Sequence, residues 1–417
     1  MSDLLDALEA RDPAVREHDL LAALPALIKH AQTAPGWAKI LHGVNPAEIS
    51  SRVALAQLPV TRKSDLQTLQ QTALPFGGLT ATPTAKLSRI FMSPGPIFDP
   101  EGRGSDYWRF ARPLYALGVR SGEIIQNCFA YHFTPAGLMA EGGAMKLGCP
   151  VIPAGIGQTE MQVQSMHLLR PQAYVGTPSF LKIIIEKAQE MGTDISSVSK
   201  ALVSAEALPP SLRNWLQQHG VRHVLQTYGT ADIGNIAYET LTDGELSPGM
   251  VLDETLLLEI VRPGTGDPVA EGEVGEIVIT SFNPDYPLIR FGTGDMTAIL
   301  PGISGCGRTN IRIKGWMGRA DQTTKIRAMF VHPSQVADIV RRHPEVKKAR
   351  LVVSGEMAND VMTLHCEVTD PALMSVHHAA ITASIRDVTK LRGEVQLVAI
   401  GSLPNDGKVI DDVRSYK

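Results

Sequence analysis

Several features are missing from this chain of 417 residues, and each absence excludes a class of function. There is no excess of basic residues: 39 Lys and Arg against 43 Asp and Glu leave a formal net charge of -4. That balance offers no basic face to nucleic acid or to an anionic membrane. No apolar run approaches the roughly 20 residues that a membrane-spanning helix needs. The opening residues, Met1-Ser2-Asp3-Leu4-Leu5-Asp6, are acidic and lack the basic start of a signal peptide. Cysteine is scarce. Cys128, Cys149, Cys306 and Cys366 are scattered without paired spacing, so a reducing, cytoplasmic setting is expected. Internal repeats and low-complexity segments are absent too.

What remains is an ordinary globular composition, 44% hydrophobic and 20% charged. The length suggests two or three domains. Residues 1–75 read as a helical segment, with Leu20, Leu21, Leu24, Leu27, Ile28 and Ala31 forming one apolar stripe. The run from Leu58 to Leu66 reads as a connector opening another helix, with Thr61 as its N-cap. From about 120 to 230, strand candidates at 124–129, 149–152, 173–175, 201–203 and 224–227 alternate with helices near 136–148, 159–169, 179–191 and 209–219. Thr177 or Ser179 would cap the third of these helices. Such alternation predicts an α/β fold with a mostly parallel sheet covered by helices. Ligands of these sheets sit beyond the carboxyl ends of the strands.

After Tyr228 the pattern turns β-rich, at 256–261, 276–280 and 295–300, which predicts a small antiparallel barrel closing a core that spans 76–320. Residues 321–417 read as a separate, mobile α+β domain. It has a helix at 333–342, strands at 349–353 and 363–367, a helix near 372–390 and a strand at 394–400.

Two charged motifs stand out. Tyr286-Pro287-Leu288-Ile289-Arg290-Phe291-Gly292-Thr293-Gly294-Asp295 reads as a glycine-rich turn ending in an acid, and Gly318-Arg319-Ala320-Asp321 echoes it. A carboxylate at such a turn can take both hydroxyls of a ribose, and an arginine can reach the sugar or its phosphate. Taken alone, they read equally as two hairpin turns with a solvated ion pair.

The order of further motifs decides between these readings. They are Leu147-Gly148-Cys149-Pro150-Val151-Ile152-Pro153 with Gly157-Gln158-Thr159-Glu160; Gly176-Thr177-Pro178-Ser179; Ser204-Ala205-Glu206; Tyr228-Gly229-Thr230-Ala231-Asp232; Val331-His332-Pro333-Ser334-Gln335-Val336; and Asp406-Gly407-Lys408. Together with the two charged motifs, the chain resembles the phenylacetate–coenzyme A ligase branch of the adenylate-forming superfamily, colinearly from about residue 55 to the end. The resemblance implies that a small carboxylic acid attacks ATP to give an acyl-adenylate, from which coenzyme A then displaces AMP. It also implies Mg²⁺ and a homodimer.

Residue by residue, the resemblance makes Asp295 the ribose acid and Arg319 its partner. Tyr228 would stack on adenine beside Gly229, with Ala205 and Glu206 lining the same pocket. The Thr230 hydroxyl would meet the α-phosphate, and Asp232 would hold Mg²⁺. Lys408 would bridge the carboxylate and the α-phosphate, and Asp321 would be the hinge about which the small domain turns. Tyr131 and Phe133 would line the acyl pocket, with His132 guarding the carboxylate or the coenzyme A channel. The plainer readings stay open: a surface lysine for Lys408, loop hydrogen bonding for Glu206, a packed helix-entry residue for His132.

The sequence also departs from the family. Where the phosphate-binding loop belongs, it reads Phe91-Met92-Ser93-Pro94-Gly95-Pro96-Ile97-Phe98-Asp99-Pro100-Glu101-Gly102. The family's lysine is absent and three prolines remove donors, leaving a smaller nest at Ser93 and Gly95. Asp99 and Glu101 are expected to repel phosphate. Ala328 replaces a glycine beside the coenzyme A tunnel. A lone Cys306 cannot build the tetrahedral zinc site of some relatives, so no zinc is expected. Beside the ligase stand two other readings: a binder of nucleotide or acyl-CoA that has lost adenylation, and an acyl-AMP ligase with another acceptor.

Overall fold

A computed structural model describes residues 4–93, 96–320, 322–327, 329–355, 359–371, 376–404 and 408–414. Gly95, Asp321, Ala328 and the Asp406-Gly407 pair lie outside them. The chain divides into two compact units, Met1–Ala205 with Trp215–Met317, and Gly318–Lys417 with Glu206–Asn214.

In the first unit the helix Pro13–Ala31 buries Leu24, Leu27, Ile28 and Ala31, the stripe read from the sequence. These side chains share a core with Trp37, Leu55 and Leu66 and with Leu257, Ile279 and Phe291 from a β-sheet. That sheet runs Thr61–Arg62, Leu288–Thr297, Gly275–Ser281, Leu256–Val261. The last three strands are antiparallel, and Thr61–Arg62 adds to the edge in parallel. The expected barrel corresponds to this sheet, and no strand pairing among the described residues closes it.

Two local expectations fail here. Thr61 does not cap a helix: it starts the strand Thr61–Arg62, and the following helix, Lys63–Thr72, has no side-chain cap bond. The glycine-rich segment before Asp295 is not a turn but the ten-residue strand Leu288–Thr297. Its glycines serve close packing instead: a Cβ on Gly292 would lie 2.7 Å from Glu276 Oε1. Gly294, with φ +75, lies within a register shift against Gly275–Ser281 and supplies a left-handed conformation that other residues reach only with strain.

Among the described residues the second sheet has nine strands. Val151–Ile152, Ile125–Asn127, Ala173–Gly176, Lys200–Val203 and His223–Thr230 are linked in parallel. Gly234–Tyr238, Met250–Leu252, Arg312–Ile313 and Ile299–Leu300 extend it antiparallel. The helices Ala136–Lys146, Thr159–Leu169, Pro178–Met191 and Pro210–Gln218 fall where the alternation placed them. Thr177 caps Pro178–Met191 by accepting the Phe180 N–H.

Buried charges tie the N-terminal turn to this sheet. Glu9, fully buried, accepts from the Tyr238 hydroxyl at 2.8 Å and from Arg308 Nε at 3.0 Å. Removing one partner of a buried pair leaves an uncompensated charge, so Glu9→Ala should cost about 3 kcal/mol. A lowered urea midpoint with an unchanged slope is the expected measurement.

The second unit carries the sheet Glu394–Ala399, Val361–Val368, Lys348–Ser354, Ile410–Asp412. Helices Pro333–Arg342 and His378–Thr389 contribute Val336, Ile339, Ile381 and Ile385 to its core. Among the described residues, no helix is long and apolar enough to cross a membrane.

Candidate functional site

The strand His223–Thr230 carries Tyr228, Gly229 and Thr230, and its partner across the turn is Gly234–Tyr238. The pair is bulged between Tyr228 and Gly229. A Cβ at 229 would lie 2.4 Å from the Gly234 carbonyl oxygen, so the two backbones meet only with glycine there. Thr230 turns its hydroxyl oxygen to the Ile233 N–H at 3.2 Å. The hydroxyl proton remains available to an acceptor.

Asp295, on the strand Leu288–Thr297, is brought against Tyr228. The Tyr228 hydroxyl donates to Asp295 Oδ2 at 2.9 Å, and Trp316 Nε1–H donates to Oδ1 at 3.0 Å. These two bonds, one on each oxygen, hold the carboxylate in place, and a carboxylate offers about four lone-pair sites in all. Trp316 carries no signal in the sequence; nothing local to it points to Asp295. Trp316→Phe removes one charge-assisted hydrogen bond to the acid, worth about 1.5 kcal/mol. AMP affinity should therefore fall about tenfold in a titration, with a small change in thermal stability.

Asp232 sits differently from the open metal ligand that the resemblance implies. It is 3% exposed, and its Oδ2 accepts from the Lys63 ammonium. Lys63 enters because the Thr61–Arg62 strand pairs alongside Phe291 and Gly292, carrying the next residue toward the end of the Asp295 strand. Burial favours the neutral amine of Lys63, but Asp232 and Asp99 outweigh it and raise its pKa. Asp295 acts in the same direction. A dication would face that ammonium, so Asp232 in this arrangement fits a magnesium ligand poorly. Among the described residues no cluster of three acidic, His or Cys side chains could hold a metal.

The divergent loop is a β-hairpin, Arg89–Ser93 paired with Ile97–Glu101. The expected repulsion of phosphate by its acids is not what the geometry gives. Asp99 is fully buried and accepts from the Ser93 hydroxyl at 3.0 Å. Glu101 accepts from Arg89 Nη1 at 2.7 Å. Burial first, then Asp232, holds the Asp99 carboxyl well above the usual carboxylate range. Ser93 thus spends its hydroxyl on Asp99. The Asp99 and Asp232 carboxyls are hydrogen-bonded to each other, and the Tyr286 hydroxyl beside them is buried without a hydrogen-bond partner among the described residues.

The hairpin is tied to the next loop by the Met92 N–H on the Phe133 carbonyl, 2.9 Å. In that loop Phe133 is 71% exposed at φ +59. His132 is exposed as well, which removes the packed-residue reading. Tyr131 is half-buried, accepting from Asn127 Nδ2 at 2.8 Å and donating to Glu141 Oε2 at 2.9 Å. Ala205, exposed at φ +69, follows Ser204, whose hydroxyl donates to the Thr227 carbonyl at 2.7 Å. Glu206 and Arg319, both half-buried, belong to the second unit. So does Lys408, 54% exposed, with its ammonium 2.9 Å from Asp411 Oδ1. Cys306 is a buried free thiol. Burial raises its pKa, but bonds from Ser304, Thr240 and Arg308 prevail and hold it below the ordinary value.

The fold points to one class of enzyme, and the family model for AMP-binding enzymes matches residues 107–283. The chain is 30% identical over 355 residues to a phenylacetate-coenzyme A ligase of Thermus thermophilus, covering 82% of this chain and 78% of that one. It is also 30% identical over 389 residues to a phenylacetate-coenzyme A ligase of Escherichia coli, covering 88% and 86%. A solved 2-hydroxyisobutyryl-CoA ligase, in complex with 2-HIB-AMP and CoA, shares the fold: TM-score 0.81 at 22% identity, over 98% of this chain and 92% of the other. The chain belongs to the phenylacetate–coenzyme A ligase-like branch of the AMP-binding enzymes.

Proposed function

We propose that the chain is an AMP-forming acid–coenzyme A ligase acting on a small carboxylic acid. In the first half-reaction a carboxylate oxygen attacks the α-phosphorus of ATP, the bond to the β-phosphate oxygen breaks, and pyrophosphate leaves. In the second, the thiol sulfur of coenzyme A attacks the acyl carbon and AMP departs with the bonding electrons. Adenylation is needed because a free carboxylate would have to expel oxide.

The observation that carries this reading is the Asp295 carboxylate, fixed by Tyr228 and Trp316 through one bond to each oxygen. On the proposal it takes the ribose hydroxyls, with Arg319 reaching the sugar or phosphate. Tyr228, Gly229, Ala205 and Glu206 border the base, and Thr230 donates to the α-phosphate. Lys408 neutralises the meeting of carboxylate and phosphate. Tyr131, Phe133 and His132 form the acyl side. Mg²⁺ enters with ATP as part of the substrate. Asp295 and Lys408 belong to different compact units, which supports turning of the small domain about Asp321 between half-reactions. Four free, buried cysteines support a cytoplasmic setting. A homodimer belongs to the same proposal, and sedimentation decides it.

The hairpin in place of the phosphate loop favours a second reading, a binder of acyl-AMP or acyl-CoA. Pyrophosphate exchange with a panel of aryl and short-chain acids, with and without coenzyme A, separates the two. Exchange followed by thioester formation is expected. AMP binding without exchange for any acid establishes the binder, and exchange without thioester establishes another acceptor.

A further inference from the structure

The divergent hairpin removes the loop lysine, yet the first unit holds a different lysine at the same hairpin. Lys63 approaches Asp232 from one side and senses Asp99 of the hairpin and Asp295 of the nucleoside side. It therefore lies between the residues that border the divergent hairpin and the acid expected to hold ribose. The accessibility of the pair is lopsided: the Lys63 side chain is 26% exposed and the Asp232 side chain 0%. The lysine side chain is thus the partly accessible member of the pair. Asp232 Oδ2 is the lysine's hydrogen-bond partner among the described residues, which leaves two of its three N–H donors for a ligand. The Tyr286 hydroxyl, buried and without a hydrogen-bond partner among the described residues, shows that this corner is polar and incompletely satisfied without one. Ser93 turns Asp99 inward, so the hairpin's acid supports the lysine's surroundings and does not face a ligand.

We propose that Lys63 is a catalytic residue that binds the polyphosphate of ATP, supplying from the Lys63–Thr72 helix start the positive charge that the divergent hairpin has lost. The inference rests on the ligase reading, and deepens it: the charge stabilises the pyrophosphate that leaves in the first half-reaction. Because the ammonium is fixed by Asp232 before ATP arrives, little reorganisation is required on binding. A lysine here also explains how Asp232 can be buried at a place where the family's metal acid would be open.

Binding of ATP, AMP and pyrophosphate, each with Mg²⁺ and with EDTA, to the full chain and to Lys63→Met and Lys63→Arg provides the test. Lys63→Met should weaken pyrophosphate and ATP by at least about tenfold, the scale of one charge-assisted hydrogen bond. AMP should be affected much less, and the loss should persist in EDTA. Lys63→Arg should recover most of it. Because Lys63→Met strands the buried Asp232 charge, the double variant Lys63→Met/Asp232→Asn supplies a folded comparison, and it should show the same split between ATP and AMP. Equal loss of ATP and AMP in the double variant, or no loss of either, overturns the assignment. These outcomes stay separate from those of the ligase reading. If the wild-type chain exchanges pyrophosphate but no split is seen, Lys63 alone is misassigned. If no acid supports exchange and the split is present, the lysine stands and the ligase reading falls.

Discussion

Lys408→Ala is expected to slow pyrophosphate exchange by about 10²–10³-fold, the effect of removing one charge-stabilising group from a transition state. Thioester formation from supplied acyl-AMP should stay near the wild-type rate. The asymmetry follows from the charges in each half-reaction. When the acid attacks ATP, a carboxylate and a phosphate, both anionic, must approach within bonding distance. When coenzyme A attacks acyl-AMP, the electrophile is an ester-like carbonyl and that repulsion is gone. A mobile lysine therefore matters to one step and not to the other. Its folded-state role should not confuse the result. The Lys408–Asp411 pair is 54% exposed on the lysine side, and such pairs contribute little to stability. The variant should thus melt with the wild type. Equal loss in both half-reactions would show that the lysine has been misassigned, and no loss in either would return it to the surface residue that its exposure suggests.

Where a segment buries one face, its sequence is legible. Pro333–Arg342 and Thr159–Leu169 match their expected bounds, because apolar spacing at helical period directly encodes a buried stripe. The Leu288–Thr297 strand reads as a turn from sequence because glycines at 292 and 294 are local breakers. What overrides them is tertiary: the strand is paired on both sides, by Thr61–Arg62 and Gly275–Ser281. The site divides in the same way. Tyr228 and Asp295 can be found from motif order, and the structure joins them. Lys63 and Trp316 cannot, since each reaches its acid through chain distances of 169 and 21 residues. For Lys63 a signal does exist, a two-residue β-prone step before a lysine, but it has meaning only once its partner strand is known. Asp99 shows the opposite error. In sequence its charge counts against phosphate, whereas the fold buries it beside Asp232 and turns it inward onto the Ser93 hydroxyl.

Asp295→Ala should weaken AMP by about 100-fold or more, since two hydroxyls bonded to a charged acceptor contribute roughly 1.5–3 kcal/mol each. Alanine alone is an ambiguous probe, because it also removes the acceptor to which the Tyr228 hydroxyl and the Trp316 N–H now donate. Asp295→Asn resolves the ambiguity. Its carbonyl oxygen can still accept from Trp316, which can only donate. Its amide N–H₂ can turn to Tyr228, whose hydroxyl can accept instead of donate. These two contacts therefore survive, and only the negative charge and one acceptor oxygen are lost. Charge-assisted hydrogen bonds are about twice as strong as neutral ones, so the asparagine variant should bind AMP roughly tenfold more weakly or worse, with a melting temperature close to wild type. The alanine variant should lose both affinity and stability. Calorimetric titration of AMP against both variants, alongside thermal melts, gives the comparison. Wild-type AMP affinity in Asp295→Asn would mean that the carboxylate serves only to anchor Tyr228 and Trp316, and the ribose would have to be held elsewhere.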